Sequence, residues 1–296
     1  TAGAFAPTAV DQLGDSGNNT LTGSAVDETL VGGAGNDTLI GNGGADVLYG
    51  GSGDDTFVLN AGNVTALAAS FGAGGNTTQL SRVDGGSGVD TLKLDGAGIT
   101  LDLTAIANQG ASTPGSASRI ESIERIDLTG SGNNILTVGV KDVFDMAGMN
   151  LINSGTKTAL GWTDGSNGGG SYTFAANEGR HQLIIDGNAG DAANVVGGNW
   201  TSVGTVTNNS KTYTVYNSTT GLAQVLVANA ITPNVQVPLD LSDIAAGTGG
   251  FVINGQCASD YSGASVASAG DVNGDGLADL IVGAFGSDPA AGGRAA

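Results

Sequence analysis

Apolar residues recur every ninth position near the start of the chain. Leu21, Leu30, Leu39, Leu48 and Phe57 hold the eighth place of the frames "GDSGNNTLT", "GSAVDETLV", "GGAGNDTLI", "GNGGADVLY" and "GGSGDDTFV", which run end to end from Gly14 to Val58. The sixth place carries Asn19, Glu28, Asp37, Asp46 and Asp55. A period of nine suits neither a lone helix nor a simple strand. It suits a six-residue glycine-rich turn followed by a three-residue strand, coiled and stacked on itself. The apolar place then fills the interior, and glycine supplies the left-handed backbone that tight turns need. A sixth frame, "GGSGVDTLK" from Gly85 to Lys93 with Asp90 in the sixth place, follows an insertion. Within that insertion "NVTALAASF" sets Val64, Leu67, Ala68 and Phe71 at helical spacing behind Asn63 as a cap. This helix is expected to cover the open end of the coil.

From about residue 95 to 236 the texture changes to alternation. "ITLDLTAI" sets Ile99, Leu101 and Leu103 against Thr100, Asp102 and Thr104, the period of a half-buried strand. "IERIDLTGSGNNILTVGV" continues the pattern, and "GTVTNNSKTYTVYNSTTGLAQVLVANAI" offers three alternating stretches broken by turn residues, a meander. "VKDVFDMAG" has room for one or two helical turns.

The acidic sixth place brings chemistry into the coil. Stacking would bring carboxylates of successive turns together, where they repel unless something neutralises them. Calcium accepts carboxylates and main-chain carbonyls at six to eight positions and is the natural bridge. The repeat predicts a parallel calcium β-roll. Frames 32–40 and 50–58 resemble the G-G-x-G-x-D-x-U-x nonapeptide of RTX proteins. In that family each metal sits between one turn and the next on the same side, two frames along. The resemblance implies Asp37 and Asp55 as a pair, with loop carbonyls around Gly32, Gly35, Gly50 and Gly53. It sets Asp46 facing Glu28, whose frame has Val26 where a glycine is expected, and it adds Asp90 from the sixth frame. The stretches "VDGGSGVDTLKLDGAGITLDLTAI" and "RIESIERIDLTGSGNN" also resemble a structural module that follows RTX repeats in very large bacterial surface proteins.

A second acidic loop lies near the other end. "DVNGDGLAD" places Asp271, Asn273, Asp275 and Asp279 at alternating positions, with the Leu277 carbonyl available and glycines permitting the bend. An EF-hand would need an acidic twelfth residue, where this chain has Val282, and a helix on entry. "SGASVASAG" is a poor helix former and "DLIVGA" reads as a strand, so a hairpin is expected. The stretch resembles the FG-GAP repeat of integrin-type β-propellers, whose loop binds calcium within a blade, and one blade is present.

The expected organisation is all-β: a linker at 1–13, a β-roll over 14–93 with the helical insertion, a β-sandwich or solenoid-like β-rich module over 94–236, and a linker with a single FG-GAP repeat, an incomplete propeller, over 237–296. Composition narrows the partners. The 296 residues hold 28 acidic and 9 basic side chains, a formal charge of −19, which repels nucleic acid and attracts cations. The single Cys257 excludes an intrachain disulfide. No apolar run of about 18 residues is present to span a bilayer. The chain starts at Thr1 without the features of a signal peptide and reads as part of something longer.

Enzymatic motifs are missing. One histidine, His181, excludes an H-E-x-x-H zinc site. There is no G-x-S-x-G elbow, and no lysine follows a glycine as in a P-loop. His181 reads as a strand-edge residue, Glu121 and Glu124 as solvated strand charges, Trp162 and Trp200 as fillers at the end of a sandwich, and Cys257 as a buried small residue. The leading expectation is a secreted, calcium-rigidified spacer and scaffold in a large bacterial adhesin or matrix protein, unfolded in calcium-poor cytosol and folding outside at roughly millimolar calcium. Its partners would be calcium, neighbouring modules of the same chain, and cell-surface or matrix glycans or proteins. RTX proteins leave bacteria by type I secretion, and this route suits an unfolded chain. The alternatives are the calcium-dependent folding tail of a secreted hydrolase and a self-assembling surface-layer or sheath protein.

Overall fold

The computed structural model describes residues 10–74, 76–107, 118–165, 170–219, 222–236, 261, 263–270 and 279–283. Two compact units divide the chain, Thr1–Pro238 and Leu239–Ala296.

In the first unit each frame of the repeat contributes one short strand. Strands β1 (Gln12–Leu13), β2 (Thr20–Thr22), β3 (Thr29–Ala34), β4 (Thr38–Ile40), β5 (Val47–Ser52) and β6 (Thr56–Leu59) precede helix α1 (Ala61–Ala68). After it come β7 (Arg82–Ser87), β8 (Thr91–Leu94), β9 (Thr100–Asp102), β10 (Ile120–Glu121), β11 (Arg125–Asp127), β12 (Ile135–Gly139) and helix α2 (Val140–Met146). The unit closes with β13 (Trp162–Asp164), β14 (His181–Asp186), β15 (Ala192–Val196), β16 (Trp200–Asn208), β17 (Lys211–Ser218), β18 (Ala223–Ala228) and β19 (Thr232–Val235).

Alternate strands stack into separate sheets, as a coiled chain requires. One sheet has the order β1-β3-β5-β7-β10 and a second β9-β12-β15-β19, both parallel. The largest runs β2-β4-β6-β8-β11-β14-β18 in parallel and then turns antiparallel through β17, β16 and β13. Its register aligns Leu39, Phe57, Leu92, Ile126 and Ile185 on consecutive rungs. Every one of these side chains is buried. The eighth-place residues of alternate frames therefore form one row of the core, which continues past the last repeat through Ile126 and Ile185, while Leu30 and Leu48 align with Val83 in the other sheet.

The insertion leaves the register intact. Thr56 of β6 pairs directly with Thr91 of β8, so α1 loops out and returns within one rung. Its cap is Asn60 and not Asn63: Asn60 Oδ1 accepts from the Gly62 and Asn63 amides, while Asn63 Oδ1 accepts back from the Asn60 amide at 3.3 Å. Two asparagines three residues apart make a reciprocal box, and the helix starts earlier than the spacing of apolar residues suggests. Phe71 falls outside the helix and is exposed. Val64, Ala66 and Leu67 are buried, and α1 packs beside β9, the outermost strand of its sheet. The helix thus covers a sheet edge, while the coil itself continues beyond it.

The boundary anticipated at 93/94 falls inside β8, within the ten-stranded sheet, and the buried residues on either side belong to one hydrophobic cluster. Strands β16, β17 and β18 form the expected meander, and α2 supplies the short helix of "VKDVFDMAG". Trp162 and Trp200 are buried in this core; the Trp162 ring lies 4.9 Å from that of Tyr213.

In the second unit β20 (Ser265–Gly270) and β21 (Asp279–Gly283) form an antiparallel hairpin, with Val266 opposite Val282. A strand, not a helix, enters the acidic loop. Asp271, Asn273, Asp275 and Leu277 lie outside the described residues, as does Cys257, and Asp279 opens β21. Among the described residues no helix is long and apolar enough to cross a membrane.

Candidate metal centre

The sixth-place residues of alternate frames are joined by a ladder of hydrogen bonds. The amide of Asn19 donates to Asp37 Oδ1 at 2.7 Å, that of Asp37 to Asp55 Oδ1 at 2.7 Å, and that of Asp55 to Asp90 Oδ1 at 2.8 Å. The Asp90 amide continues it to Glu124 Oε2 at 2.9 Å. Beside it runs a ladder of opposite sense at the fifth place. Asn36, Asp54 and Val89 donate their amides to the Asn18, Asn36 and Asp54 side chains of the preceding coil, at 2.8, 3.0 and 2.8 Å. Adjacent places of the turn thus stitch each coil to both neighbours, which explains why polar side chains persist there.

One oxygen of each ladder aspartate is left over. Asp37, Asp55 and Asp90 are buried, and their Oδ2 atoms have no hydrogen-bond partner. Buried polar atoms are normally paired, so three repeated exceptions point to a ligand. Each packs closely against a glycine. A Cβ on Gly32 would sit 2.4 Å from Asp37 Oδ2 and 2.6 Å from the Gly50 carbonyl oxygen. One on Gly50 would sit 2.3 Å from Asp55 Oδ2 and 2.6 Å from the Gly85 carbonyl oxygen. Carboxylate and main-chain oxygens of successive coils therefore crowd together against the glycine Cα, where any side chain would clash. Such all-oxygen donors suit a hard cation such as calcium. Among the described residues no three His, Cys, Asp or Glu side chains gather in one cluster; each turn offers a single carboxylate with carbonyls around it. Gly35 and Gly53 hold left-handed backbone, and a Cβ on Gly53 would meet the Gly35 carbonyl oxygen at 2.3 Å.

The opposite row of turns is closed by protein groups. Asp46 Oδ1 accepts from the Glu28 amide at 3.1 Å, but its Oδ2 accepts from Asn63 Nδ2 at 2.7 Å. Glu28 Oε2 accepts from the Ser24 amide at 2.5 Å, and Ser24 Oγ donates to Oε1. Farther along, the turns before β12 and β15 use the same device. The Ile99 amide donates to Asn134 Oδ1 and the Asn134 amide to Asp191 Oδ1, both at 2.8 Å, while Asn134 Nδ2 bridges the Gly96 and Leu128 carbonyls. An amide NH₂ there satisfies the carbonyls that a cation would otherwise attract.

Burial raises the carboxylates of these turns. It pushes Asp55 up to about 6, Asp46 and Glu124 to about 7, and Asp90 to about 8; acidic neighbours add to the rise. For Asp90 those neighbours are Glu124, Asp55 and Asp54. A bound cation would oppose both causes.

Glu124 was not legible as a site residue. The reading of Glu121 and Glu124 as solvated strand charges is corrected: Glu124 is buried at the end of the ladder, with Oε1 accepting from the Gly148 amide, and Glu121 is ion-paired to Arg82. The available signal was "DTLK" repeated as "ERID", an acid two places before an interior apolar residue with the glycines gone. His181 opens β14, its Nδ1 2.7 Å from the Ala147 carbonyl.

Comparison with protein families agrees with this geometry. A model of the RTX calcium-binding nonapeptide repeat (4 copies) matches residues 13–39, 22–57 and 31–65. The FG-GAP repeat model matches residues 262–295. Neither the curated proteins nor the solved structures gave a match. The chain carries RTX calcium-binding nonapeptide repeats at its start and an FG-GAP repeat near its end.

Proposed function

We propose that this chain is a calcium-stiffened extracellular segment of a large bacterial surface protein, a spacer and scaffold that carries adhesive modules away from the cell. The observation that supports this most is the stack of buried aspartates, each with one unpaired oxygen packed against a glycine beside a main-chain carbonyl oxygen. Asp37 with the Gly50 carbonyl, and Asp55 with the Gly85 carbonyl, would hold calcium together with loop carbonyls around Gly32, Gly35 and Gly53. Asp271, Asn273, Asp275, Asp279 and the Leu277 carbonyl would hold another in the FG-GAP loop. Bound calcium supplies the positive charge and oxygen coordination that these turns lack.

Without it, the turns must hold buried carboxylates close to acidic neighbours, in a coil whose strands β4 and β6 have only three and four residues. The repeats then fold only where calcium is plentiful, which suits export as an unfolded chain and stiffening outside. Both matched repeats belong to structural families, and the scaffold role draws on that. The test is far-UV circular dichroism during a calcium titration of the whole chain and of an Asp37→Ala, Asp55→Ala variant. A gain of β signal near millimolar calcium that the variant loses is the expected result. Full β signal in chelator, unchanged by both substitutions, would overturn the proposal.

A further inference from the structure

A cavity of about 410 Å³ opens where the repeat turns meet the later coils, a volume in the range of small-molecule sites. Sheet alternation sets its floor. Ile126 and Ile185 point into the core, so Arg125 and Ile184, paired on one rung, face the other way. The chain from Leu151 to Trp162 supplies the far wall and is fixed by side chains of the sheet. Gln182 accepts from the Ile152 amide at 2.6 Å and donates to the Ile152 carbonyl at 3.0 Å, and Asn208 Nδ2 donates to the Leu160 carbonyl at 2.8 Å. The near wall is the fifth-place ladder, which changes as it arrives: Asn18 and Asn36 give way to Asp54 and then Val89, and both of these line the cavity.

The polar groups around it are only partly used. Asp54 is exposed, and the Val89 amide takes its Oδ1 alone. Arg125 gives Nη1 to Asp186, and among the described residues its other guanidinium nitrogens make no hydrogen bond. The Trp162 indole N–H makes none there either, although Trp162 is buried, whereas that of Trp200 donates to the Gly197 carbonyl at 3.1 Å. Asn209 brings an amide from the tip of the β16–β17 hairpin. Charge is balanced: Arg125 and Lys211 both pair with Asp186, and Asp54 offsets the second cation. An anion finds no spare positive charge and is repelled by the formal charge of −19, while a cation meets Arg125. Hydroxyls both donate and accept, so they can serve an acceptor-only carboxylate and donor-only guanidinium and indole groups together. The apolar surfaces of Leu160, Ile184 and Trp162 match the C–H face of a sugar ring.

We propose that this cavity binds a neutral sugar, with its hydroxyls on Asp54, Arg125 and Asn209 and its ring against Leu160 and Trp162. The inference goes beyond the scaffold role, because it makes one stretch of the spacer itself a glycan contact.

The test titrates the methyl glucoside, galactoside and mannoside, with glucuronic acid as the acidic counterpart, into the full isotope-labelled chain in calcium while NMR follows the two indole N–H resonances. At least one neutral hexoside should move the Trp162 resonance saturably and leave that of Trp200 in place, and glucuronic acid should bind more weakly. Asp54→Asn keeps the acceptor for the Val89 amide, as Asn36 does for that of Asp54, and Asn209→Gly keeps the left-handed backbone of φ 46°. Each should weaken that sugar about tenfold. A Trp162 resonance that no neutral hexoside shifts, tighter binding of glucuronic acid, or full affinity in both variants would overturn this site alone. Full β signal by circular dichroism in EGTA would overturn the calcium reading above and leave the sugar site standing.

Discussion

Two stretches of one solenoid solve the same problem with different groups. In the repeats, coils stack through Asp37, Asp55 and Asp90, each leaving a buried oxygen unpaired. In the later coils the equivalent turns use Asn134, whose NH₂ group bridges two carbonyls, and Asp191, whose Oδ2 accepts from the Asn188 amide at 2.6 Å. The strands differ in step. Repeat strands β2, β4 and β6 have three or four residues, whereas β14 and β18 of the same sheet have six and are almost wholly buried. The later turns, like the Asp46 turn inside the repeats, are closed by the chain's own amides. Where an aspartate oxygen stays unpaired, a cation can complete the turn, and stability then depends on the medium. The change occurs within a continuous sheet, so folded later coils offer β8 a template edge.

The sharpest way to break this contrast is one substitution on each side. Gly50→Ala puts a methyl 2.3 Å from Asp55 Oδ2 and 2.6 Å from the Gly85 carbonyl oxygen. In calcium it should cost about 1–3 kcal/mol in overpacking plus the contribution of the displaced ion, and in EGTA, where the repeats are unfolded, nothing. Asn134→Ala leaves the Ile99 amide unpaired and takes one of two donors from each of the Gly96 and Leu128 carbonyls. That should cost about 1–3 kcal/mol, by the same amount with calcium or with EGTA. Chemical denaturation in the two buffers checks both; an Asn134→Ala loss that depends on calcium would erase the distinction.

A smaller effect concerns pH. Unfolded carboxylates titrate near 4, whereas Asp55, Asp46, Glu124 and Asp90 are raised to between about 6 and about 8. Between those limits the folded state binds more protons than the unfolded one, so stability falls as pH rises from about 4 to about 8. In EGTA protonation should therefore let repeat coils fold at pH 5 that stay unfolded at pH 8, and the chain should melt higher at pH 5, by roughly 2–4 °C for each kcal/mol of difference. Calcium competes with those protons and should raise the melting temperature more at pH 8 than at pH 5. Differential scanning calorimetry at the two pH values reads both signs, and a higher melting temperature at pH 8 in EGTA would contradict the raised values.

Much of the roll is written in the first 93 residues, because nine-residue frames fix which side chains face inward and where carboxylates stack. The later coils are written less openly. Equivalent rungs are 18 residues apart at Leu39 and Phe57, but Phe57 pairs with Leu92, Leu92 with Ile126, and Ile126 with Ile185. A parallel sheet needs only the strand in phase, so the connections vary in length and the period disappears while the coil continues. Glu124 was hidden for that reason. The division of labour between the two turn rows was hidden for another: Asn63 reads as a helix cap, and only folding carries its amide to Asp46. The acid at the sixth place shows a turn that could take a cation, but its neighbours in space decide whether an oxygen stays unpaired.

The central claim is that calcium holds the repeat coils while amides hold the later ones. Hydrogen exchange on the whole chain, with calcium and with EGTA, tests it most directly. Amides of residues 29–59 should be protected only with calcium, and those of residues 181–186 and 223–228 in both. Equal protection of residues 29–59 in the two buffers would contradict it.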